Sequence, residues 1–260
     1  MGNAPWTGLE NLILVAGHAV YVADSFEDIT NDNNWFLQNF QKGEPPFYIE
    51  HIRSGVDLAA DDPKSLLIFS GGQTRYEAGP KSEAQSYWMI ADHLNWWSHT
   101  DVKLRATTEE FARDSFENLL FAICRFREAV GNYPHEVKVV SWAFKEERFE
   151  LHRRDICFPK SGFIFKGVNN PLDLDKATQG EVKAIRDFKE DPYGTRKESG
   201  EKDENGKPIK YLGDKRNDRN PFKRQHPYSV SCEEVRDLLQ HAGPNWYDGI
   251  VPWSKECDGA

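Results

Sequence analysis

The chain is poor in cysteine and has no long apolar run. Its 260 residues include four cysteines, which show neither CxxC nor Cys/His spacing, so the sequence predicts no zinc site and four unpaired thiols. No stretch approaches the roughly 20 apolar residues that cross a bilayer, and residues 1–9 lack the basic and apolar regions of a signal peptide. We therefore expect a soluble, cytoplasmic protein without a membrane anchor.

Basic residues are also in the minority, because the formal net charge is -9. Nucleic acids and anionic membranes bind to basic surfaces, so we expect neither as a partner. Internal repeats, dinucleotide motifs and the GxSxG nucleophile turn are likewise absent. A hydrophobic content of 38% is enough for a substantial core, and we expect a single α/β domain over residues 1–260.

Strand-like and helix-like segments alternate along the first two thirds of the chain. The expected strands are 12–16, 66–69, 102–105, 137–140 and 163–166, and the expected helices are 34–41, 47–60, 82–97 and 108–130. Strands that alternate with helices predict an open, mainly parallel sheet with helices on both faces. The right-handed crossover rule places every strand's carboxyl end at one edge of that sheet.

The composition changes after this core, which spans about residues 12–170. Residues 190–225 are dominated by charged and small polar residues, and such a segment buries too little apolar surface to fold alone. We expect a surface insertion that contributes little to the core. A closing helix over 231–241, capped by Ser231, and an aromatic tail over 244–253 follow.

The most informative segment is LLIFSGGQTR, residues 66–75. An apolar run that enters a glycine turn is typical of a buried parallel strand, and open α/β sheets bind ligands at the strands' carboxyl ends. Gly71 and Gly72 would let the backbone approach an anion, and the segment's polar side chains would donate to it. Those side chains are Ser70, Gln73, Thr74 and Arg75. The alternative is a tight turn with incidental polar residues.

Two further loops supply candidates for the same edge. Gly17 and His18 follow the first expected strand, and His18 is a candidate general base or phosphate donor if it faces the edge, although a lone histidine is more often structural. Ser82 and Glu83 open the next helix. Their types suit a helix start without any function, but their position places them beside the glycine turn.

The loops after the third and fourth expected strands are rich in charge. Residues 107–118 contain Glu110, Asp114 and Asn118, which could serve a reaction or simply form a solvated helix face. After the fourth strand, Ser141 precedes Lys145 and Arg148 at a predicted helix start. Such a site could hold a phosphate or a carboxylate.

Four of these motifs, in this order, resemble the SanA, YdcF and ElyC-like family, known as domain of unknown function number 218. They are SGGQTR at 70–75, SEA at 82–84, ARDSFEN at 112–118 and VVSWAFKEERF at 139–149. The length and the KEERF variant resemble a eukaryotic, fungal branch of that family. The resemblance covers about residues 12–170.

The resemblance implies a three-layer, Rossmann-like α/β fold with a pocket at the carboxyl edge. It also implies a link to cell-envelope and lipid-carrier physiology, and one family member is reported to bind S-adenosylmethionine. The family pattern after the fourth strand is VTSxxHxxR, and Lys145 stands where that pattern has histidine. Because an unperturbed lysine is protonated at pH 7, Lys145 suits an anion ligand better than an acid or base.

Three functions compete at this point. The leading hypothesis is an enzyme that acts on a phosphorylated or nucleotide-like small molecule, an anion held by Arg75, Lys145 and Arg148. Acid/base chemistry would come from Glu83, Glu110, Asp114 and His18. The alternatives are a noncatalytic module that binds a nucleotide or S-adenosylmethionine, and an interaction scaffold. A divalent metal on acidic residues is not excluded, but no spacing is diagnostic for one.

Overall fold

A five-stranded, all-parallel sheet forms the middle layer of the computed structural model, which describes residues 6–197, 200–203 and 205–254. The strands in chain order are β1 Asn11–Ala16, β2 Val20–Tyr21, β3 Trp35–Phe36, β4 Ser65–Ser70, β5 Ala106–Glu109, β6 Glu136–Ser141 and β7 Phe163–Gly167. The main sheet has the order β5-β4-β1-β6-β7, and β2 and β3 form a separate antiparallel pair.

Helices cover both faces of the sheet. They are α1 Pro45–Asp61, α2 Glu83–His93, α3 Thr100–Lys103, α4 Ser115–Val130, α5 Glu146–Asp155, α6 Leu174–Glu190, α7 Leu212–Asp218, α8 Tyr228–Ser231 and α9 Arg236–Gln240. Ile13 and Val15 of β1 pack towards α1 and α2, whereas Leu12 and Leu14 pack towards α4 and α5. The three-layer, Rossmann-like α/β fold is therefore confirmed.

The order of the strands fixes where a ligand would enter. From β1 the chain moves outward to β4 and β5, then returns to the other side of β1 and continues through β6 to β7. The direction of winding therefore reverses between β1 and β6. In open α/β sheets the ligand crevice lies at the carboxyl ends of the strands at this reversal.

Several predicted element boundaries are wrong. Residues Thr100–Lys103 form α3, and the third main strand is Ala106–Glu109, which lies at the edge of the sheet and has only its two end residues buried. An edge strand with so few buried positions gives a weak apolar signal. The expected helix at 34–41 is replaced by short 3₁₀ turns and β3, and the helix expected from 108 begins at Ser115.

The region after residue 170 is more ordered than its composition predicts. Helix α6 was not predicted, and it buries Ile185 and Phe188. Within 190–225, α7 forms, and Tyr193, Leu212 and Arg216 are buried. The expectation that this segment contributes little to the core is therefore wrong at these positions, because a few spaced side chains reach the core from a hydrophilic chain.

Three other expectations can be compared with the described residues. Ser231 ends α8 and does not cap a long closing helix. Cys124 and Cys232 are free thiols, whereas Cys157 is disulfide-bonded, so the expectation of four unpaired thiols is wrong for Cys157. In the part of the chain that the structure describes, no helix is both long and apolar enough to cross a membrane.

Candidate functional site

The loops after β1, β4 and β6 meet where the winding of the sheet reverses. The amide of Gly17 donates to the carbonyl of Ser70 at 2.7 Å, which joins the first two loops. A Cβ atom on Gly17 or Gly71 would lie 2.7 or 2.8 Å from Cβ of Glu83. Glycine is therefore required at both positions for the first residue of α2 to approach the sheet. We call this place the central crevice. Its members are Gly17, His18, Glu83, Ser141, Lys145 and Arg148, together with Arg75 and Arg219, which are near enough to Glu83 to lower its pKa.

Glu83 contributes a carboxyl group whose proton affinity is unusual. Its Oε1 accepts a hydrogen bond from Thr74 Oγ1 at 2.7 Å. Burial raises the pKa of Glu83, although the Thr74 hydroxyl, Arg75 and Arg219 oppose that rise. The preceding Ser82 caps α2 by accepting a backbone N–H at 2.9 Å. Ser82 thus has a structural role as the helix cap. Of the two residues, Glu83 is the one that could take part in proton transfer.

Three basic side chains, those of His18, His51 and Lys145, lie close together at the crevice. Lys145 Nζ is 3.5 Å from His18 Nδ1, and the His18 ring stacks on Trp142 beside His51. Burial, and then Arg148, lower the pKa of Lys145 to about 7, although Glu181, Glu44 and Glu83 raise it. The expectation of an unperturbed, fully protonated lysine is therefore wrong. Burial also lowers the pKa of His51 to about 3 and that of His18 well below its usual value. Both imidazoles are therefore uncharged at neutral pH.

Arg148, which was predicted to hold an anion, already has a carboxylate partner within the protein. That partner is Glu181 of α6, at 3.0 Å, in a pair whose side chains are 14% and 6% exposed. Arg148 Nε nevertheless makes no hydrogen bond with the described residues. One donor of the guanidinium group is therefore free for another acceptor.

The other cations at this edge form no close ion pair with the described residues, although each is near enough to Glu83 to lower its pKa. Arg75 makes no hydrogen bond or ion pair with the described residues, and Lys145 makes no ion pair with them. Arg219 donates to a backbone carbonyl after β5 at 2.9 Å. Burial, and then Arg219, lower the pKa of Arg75. The rings of Tyr76 and Phe222, 5.9 Å apart, hold the segment that carries Arg219 against the loop after β4.

Five of the eleven buried side-chain polar atoms that lack a partner among the described residues lie here. They are His18 Nε2, His51 Nδ1, Ser141 Oγ, Arg148 Nε and Glu181 Oε1. Ser141 and His51 expose no surface at all. Because the great majority of buried polar groups in proteins are hydrogen-bonded, such a group of exceptions indicates a place where a ligand or water completes the bonding.

The glycine turn does not bind an anion in the predicted way. The amide of Gly71 donates to the carbonyl of Glu109 at 3.0 Å, and that of Gly72 donates to the carbonyl of Ala112 at 2.7 Å. The expectation that both amides face a ligand is therefore wrong, since each already has an acceptor. Gln73 is also engaged, because its Nε2 donates to a carbonyl of the same loop at 3.0 Å.

Ser70 and Asn118 belong to a saturated hydrogen-bond network, the Glu109 cluster, with Glu109 and Tyr228. Ser70 Oγ donates to Glu109 at 2.6 Å, and Asn118 Nδ2 donates to Ser70 Oγ at 2.9 Å. The hydroxyl of Tyr228 donates to the second oxygen of Glu109 at 3.2 Å. Burial raises the pKa of Glu109 to about 7 despite these hydrogen bonds. This network joins β4, β5, α4 and α8 and accounts for Ser70 and Asn118 structurally.

Asp114 is also a structural residue. It caps α4 and forms a buried ion pair with Arg216 at 2.6 Å. Burial alone would raise the pKa of Asp114, but Arg216 outweighs burial and lowers it to about 2. A buried carboxylate that is paired with an arginine is poorly suited to proton transfer at neutral pH, so the ion pair favours a structural role for Asp114 over the predicted catalytic one. Glu110 accepts from the Thr108 hydroxyl at 2.9 Å, and its role stays a prediction.

Sequence reasoning missed three residues of this edge. His51 lies on the buried face of α1, where its spacing is that of a core position. Glu181 lies on α6, and Arg219 lies in the segment that was predicted to be a surface insertion. None carries a local motif, and only the folded arrangement brings them together.

Two cavities lie outside the central crevice. One, of about 270 Å³, lies between α4 and α7 beside Arg216 and His241, and the other, of about 500 Å³, lies beside Tyr133 and Trp253. The arginines in them are already paired with carboxylates, for example Arg127 with Glu234 at 2.9 Å. We therefore place the candidate site at the crevice, which carries the unpaired cations.

Comparison with known proteins adds a relative but no activity. The chain is 29% identical to an uncharacterized protein of Saccharomyces cerevisiae, YOR238W, over 86% of this chain and 88% of that protein. No protein-family profile matches the chain, and no solved structure matches it significantly. The likeness extends over nearly the whole of both proteins.

Proposed function

We propose that the central crevice binds a phosphorylated or nucleotide-like small molecule and that the protein acts on it as an enzyme. The observation that carries this proposal is the convergence of Arg75, Lys145 and Arg219 around Glu83, whose pKa all three lower, although none of them forms a close ion pair among the described residues. Unpaired, partly buried cations are costly unless an anion neutralises them. In a protein of net charge -9, several basic side chains without a close ion-pair partner are a specific feature.

The same crevice contains groups suited to proton transfer. Glu83 has a raised pKa, which favours a carboxyl group that can hold a proton near neutral pH. His18 is neutral, and its Nε2 has no partner among the described residues, so this atom is available for a hydrogen bond to a substrate or a water molecule. We assign acid/base chemistry to Glu83, a hydrogen bond to the ligand to His18, and anion binding to the cations. No metal ligand is assigned.

A noncatalytic module for a nucleotide or S-adenosylmethionine is the second candidate. The pairing of Asp114 with Arg216 favours it, because that pairing removes one of the proposed acid/base residues. The fold is the one that the resemblance to the SanA, YdcF and ElyC-like family implies, and we propose membership of that family. A cytoplasmic location is likewise a proposal.

Calorimetric titration tests the site directly. Inorganic phosphate, adenosine monophosphate and S-adenosylmethionine are titrated into the wild type, Arg75→Ala and Lys145→Met. Hydrogen bonds to charged groups contribute about 1.5–3 kcal/mol, so each variant should bind phosphate about tenfold or more weakly. Arg53→Ala is the matched control, because Arg53 is 61% exposed and pairs with Asp57 on α1.

The outcomes separate the candidates. If no anion binds, or if both variants bind phosphate as tightly as the wild type does, the site assignment fails. Binding of adenosine monophosphate or S-adenosylmethionine without any turnover of phosphorylated compounds would support the noncatalytic module. Turnover that Glu83→Gln abolishes while phosphate affinity persists would support the enzyme.

A further inference from the structure

A buried histidine holds a serine hydroxyl at the carboxyl edge of the sheet. Ser115 is the first residue of α4 and is partly exposed, whereas His152 of α5 exposes no surface. Ser115 Oγ and His152 Nε2 are 2.8 Å apart. Ser115 lies within the ARDSFEN motif at 112–118 but was not predicted to be a site residue, and His152 lies outside the four motifs. The proposed mechanism uses neither residue.

The surroundings of His152 determine which ring nitrogen carries its proton. Nδ1 has no hydrogen-bond partner among the described residues, and the ring packs against Phe116, Phe149 and Phe188. A proton on Nδ1 would be a buried N–H without an acceptor, which is rare in proteins, whereas a proton on Nε2 has Ser115 as its acceptor. We therefore assign the neutral tautomer with the proton on Nε2.

This assignment leaves the Ser115 hydroxyl hydrogen free. His152 donates to Ser115 Oγ, so the serine can donate its own hydrogen elsewhere, and the described residues show no acceptor for it. Burial, followed by Arg148, lowers the pKa of His152 well below its usual value. The histidine therefore stays neutral, and its donation to Ser115 persists at physiological pH.

Arg148 connects this pair to the crevice. It lies one helical turn before His152 on α5 and is close enough to lower the histidine's pKa. Its Nε has no partner among the described residues, and neither does Ser141 Oγ at the end of β6. Ser141 and Val139 are two residues apart on β6, so both face the α4 and α5 side of the sheet. Ser115, Arg148 and Ser141 therefore all lie on the α4 and α5 side of the sheet.

We propose that Ser115 donates a hydrogen bond to an anionic oxygen of the ligand in the central crevice and that His152 is the positioning residue that aims the hydroxyl. The ligand class is a phosphoryl or similar oxyanion, since Ser115 and Arg148 both offer donors. This inference rests on the proposed function, because it needs an anion in that crevice. His152 acts through Ser115 and touches no ligand.

Titration of inorganic phosphate into single and double variants tests the inference. Ser115→Ala should weaken phosphate affinity about tenfold, the effect of losing one hydrogen bond to a charged group. Ser115→Thr keeps the hydroxyl and should bind within about threefold of the wild type. Ser54→Ala is the control, because Ser54 is a partly exposed helical serine of α1.

A double-mutant cycle tests the role of His152. His152→Phe fills the aromatic surroundings, removes the Nε2 donor and should weaken phosphate affinity. If the histidine acts through Ser115, the same change should have no further effect on affinity in the Ser115→Ala background. A purely structural role would instead lower thermal stability and leave phosphate affinity unchanged.

Failure of the proposed function and failure of this inference would give different results. If the wild type binds neither phosphate nor a nucleotide, the proposed function fails, and this inference fails with it. If the wild type binds phosphate and Ser115→Ala binds it equally well, the crevice remains an anion site, but the role given to Ser115 is overturned. Equal effects of His152→Phe in both backgrounds would overturn the positioning role alone.

Discussion

Two groups of buried polar residues share the carboxyl edge of the sheet, and they differ in how well they are bonded. In the Glu109 cluster, Ser70, Asn118 and Tyr228 all hydrogen-bond within the protein. In the central crevice, Ser141 Oγ and Arg148 Nε have no partner among the described residues. Position at the ligand-binding edge is therefore not enough to identify a site, and the state of the hydrogen bonds separates structure from function.

The difference has an energetic consequence. A saturated buried network stabilises the fold, and removal of one member leaves its partners unsatisfied at about 1–3 kcal/mol each. Groups that lack partners contribute little stability or reduce it, and proteins commonly retain such groups at functional sites. Substitutions in the two regions should therefore change the free energy of unfolding in opposite directions.

The largest loss should follow Arg216→Ala, on the saturated side. Arg216 is paired with Asp114, and both side chains are 9% exposed. Removal of one partner of a buried ion pair leaves an uncompensated charge and costs about 3–5 kcal/mol. Urea unfolding measures the loss, and Arg236→Ala, whose partner is the exposed Glu233, is the control. A loss below about 1 kcal/mol would show that α7 contributes little to the fold.

Between pH 4.5 and 7, the free energy of unfolding of Glu109→Gln should rise by about 3 kcal/mol relative to that of the wild type. Burial raises the pKa of folded Glu109 from 4.5 to about 7. Between these values the folded state binds a proton that the unfolded state has lost, so wild-type stability falls as pH rises, by about 1.4 kcal/mol per pH unit. Glutamine does not titrate, so only the wild type should lose this stability between pH 4.5 and 7. Stability curves that stay parallel would contradict the buried carboxyl.

The sequence predicted the centre of the sheet better than its periphery. Strands β1 and β4 are buried on both faces and read as continuous apolar runs, as buried parallel strands do. Strand β5 was missed because ATTE is an edge segment with two buried residues. Helix α6 was missed because its buried residues, Glu181, Ile185 and Phe188, give little apolar signal.

The same limit applies to the candidate site. Ser70 and Ser141 both end buried strands, and their local sequences do not show that only Ser70 meets an amide and a carboxyl group. The chirality of crossovers predicted the shared edge, but partners come from tertiary packing. Arg219 was missed for that reason, since its segment is brought to the edge by contacts such as Tyr76 with Phe222.

On the unsaturated side, Lys145→Met should raise stability by more than about 1 kcal/mol at pH 7. Burial lowers the pKa of folded Lys145 from 10.5 to about 7, so the charged form is disfavoured in the native state. That cost is complete below pH 7 and disappears as pH rises towards 10.5, where the lysine is neutral in both states. The gain from methionine should therefore shrink above pH 7. Lys183→Met, at an exposed position, is the control, and a net loss of stability at pH 7 would contradict the proposed cost.

The smallest stability effect should come from Arg75→Ala, within about 0.5 kcal/mol of the wild type. Arg75 has no hydrogen-bond or ion-pair partner among the described residues to lose, and Arg219 opposes its charge. Addition of phosphate should then stabilise the wild type more than Arg75→Ala. A ligand that binds only the folded state stabilises it by about 2.7 kcal/mol at one hundred times its Kd, so the weaker-binding variant should gain less from the same phosphate concentration. Urea unfolding with and without phosphate measures both effects. A loss above about 1 kcal/mol without phosphate, together with an unchanged gain when phosphate is added, would place Arg75 with the structural residues of the Glu109 cluster.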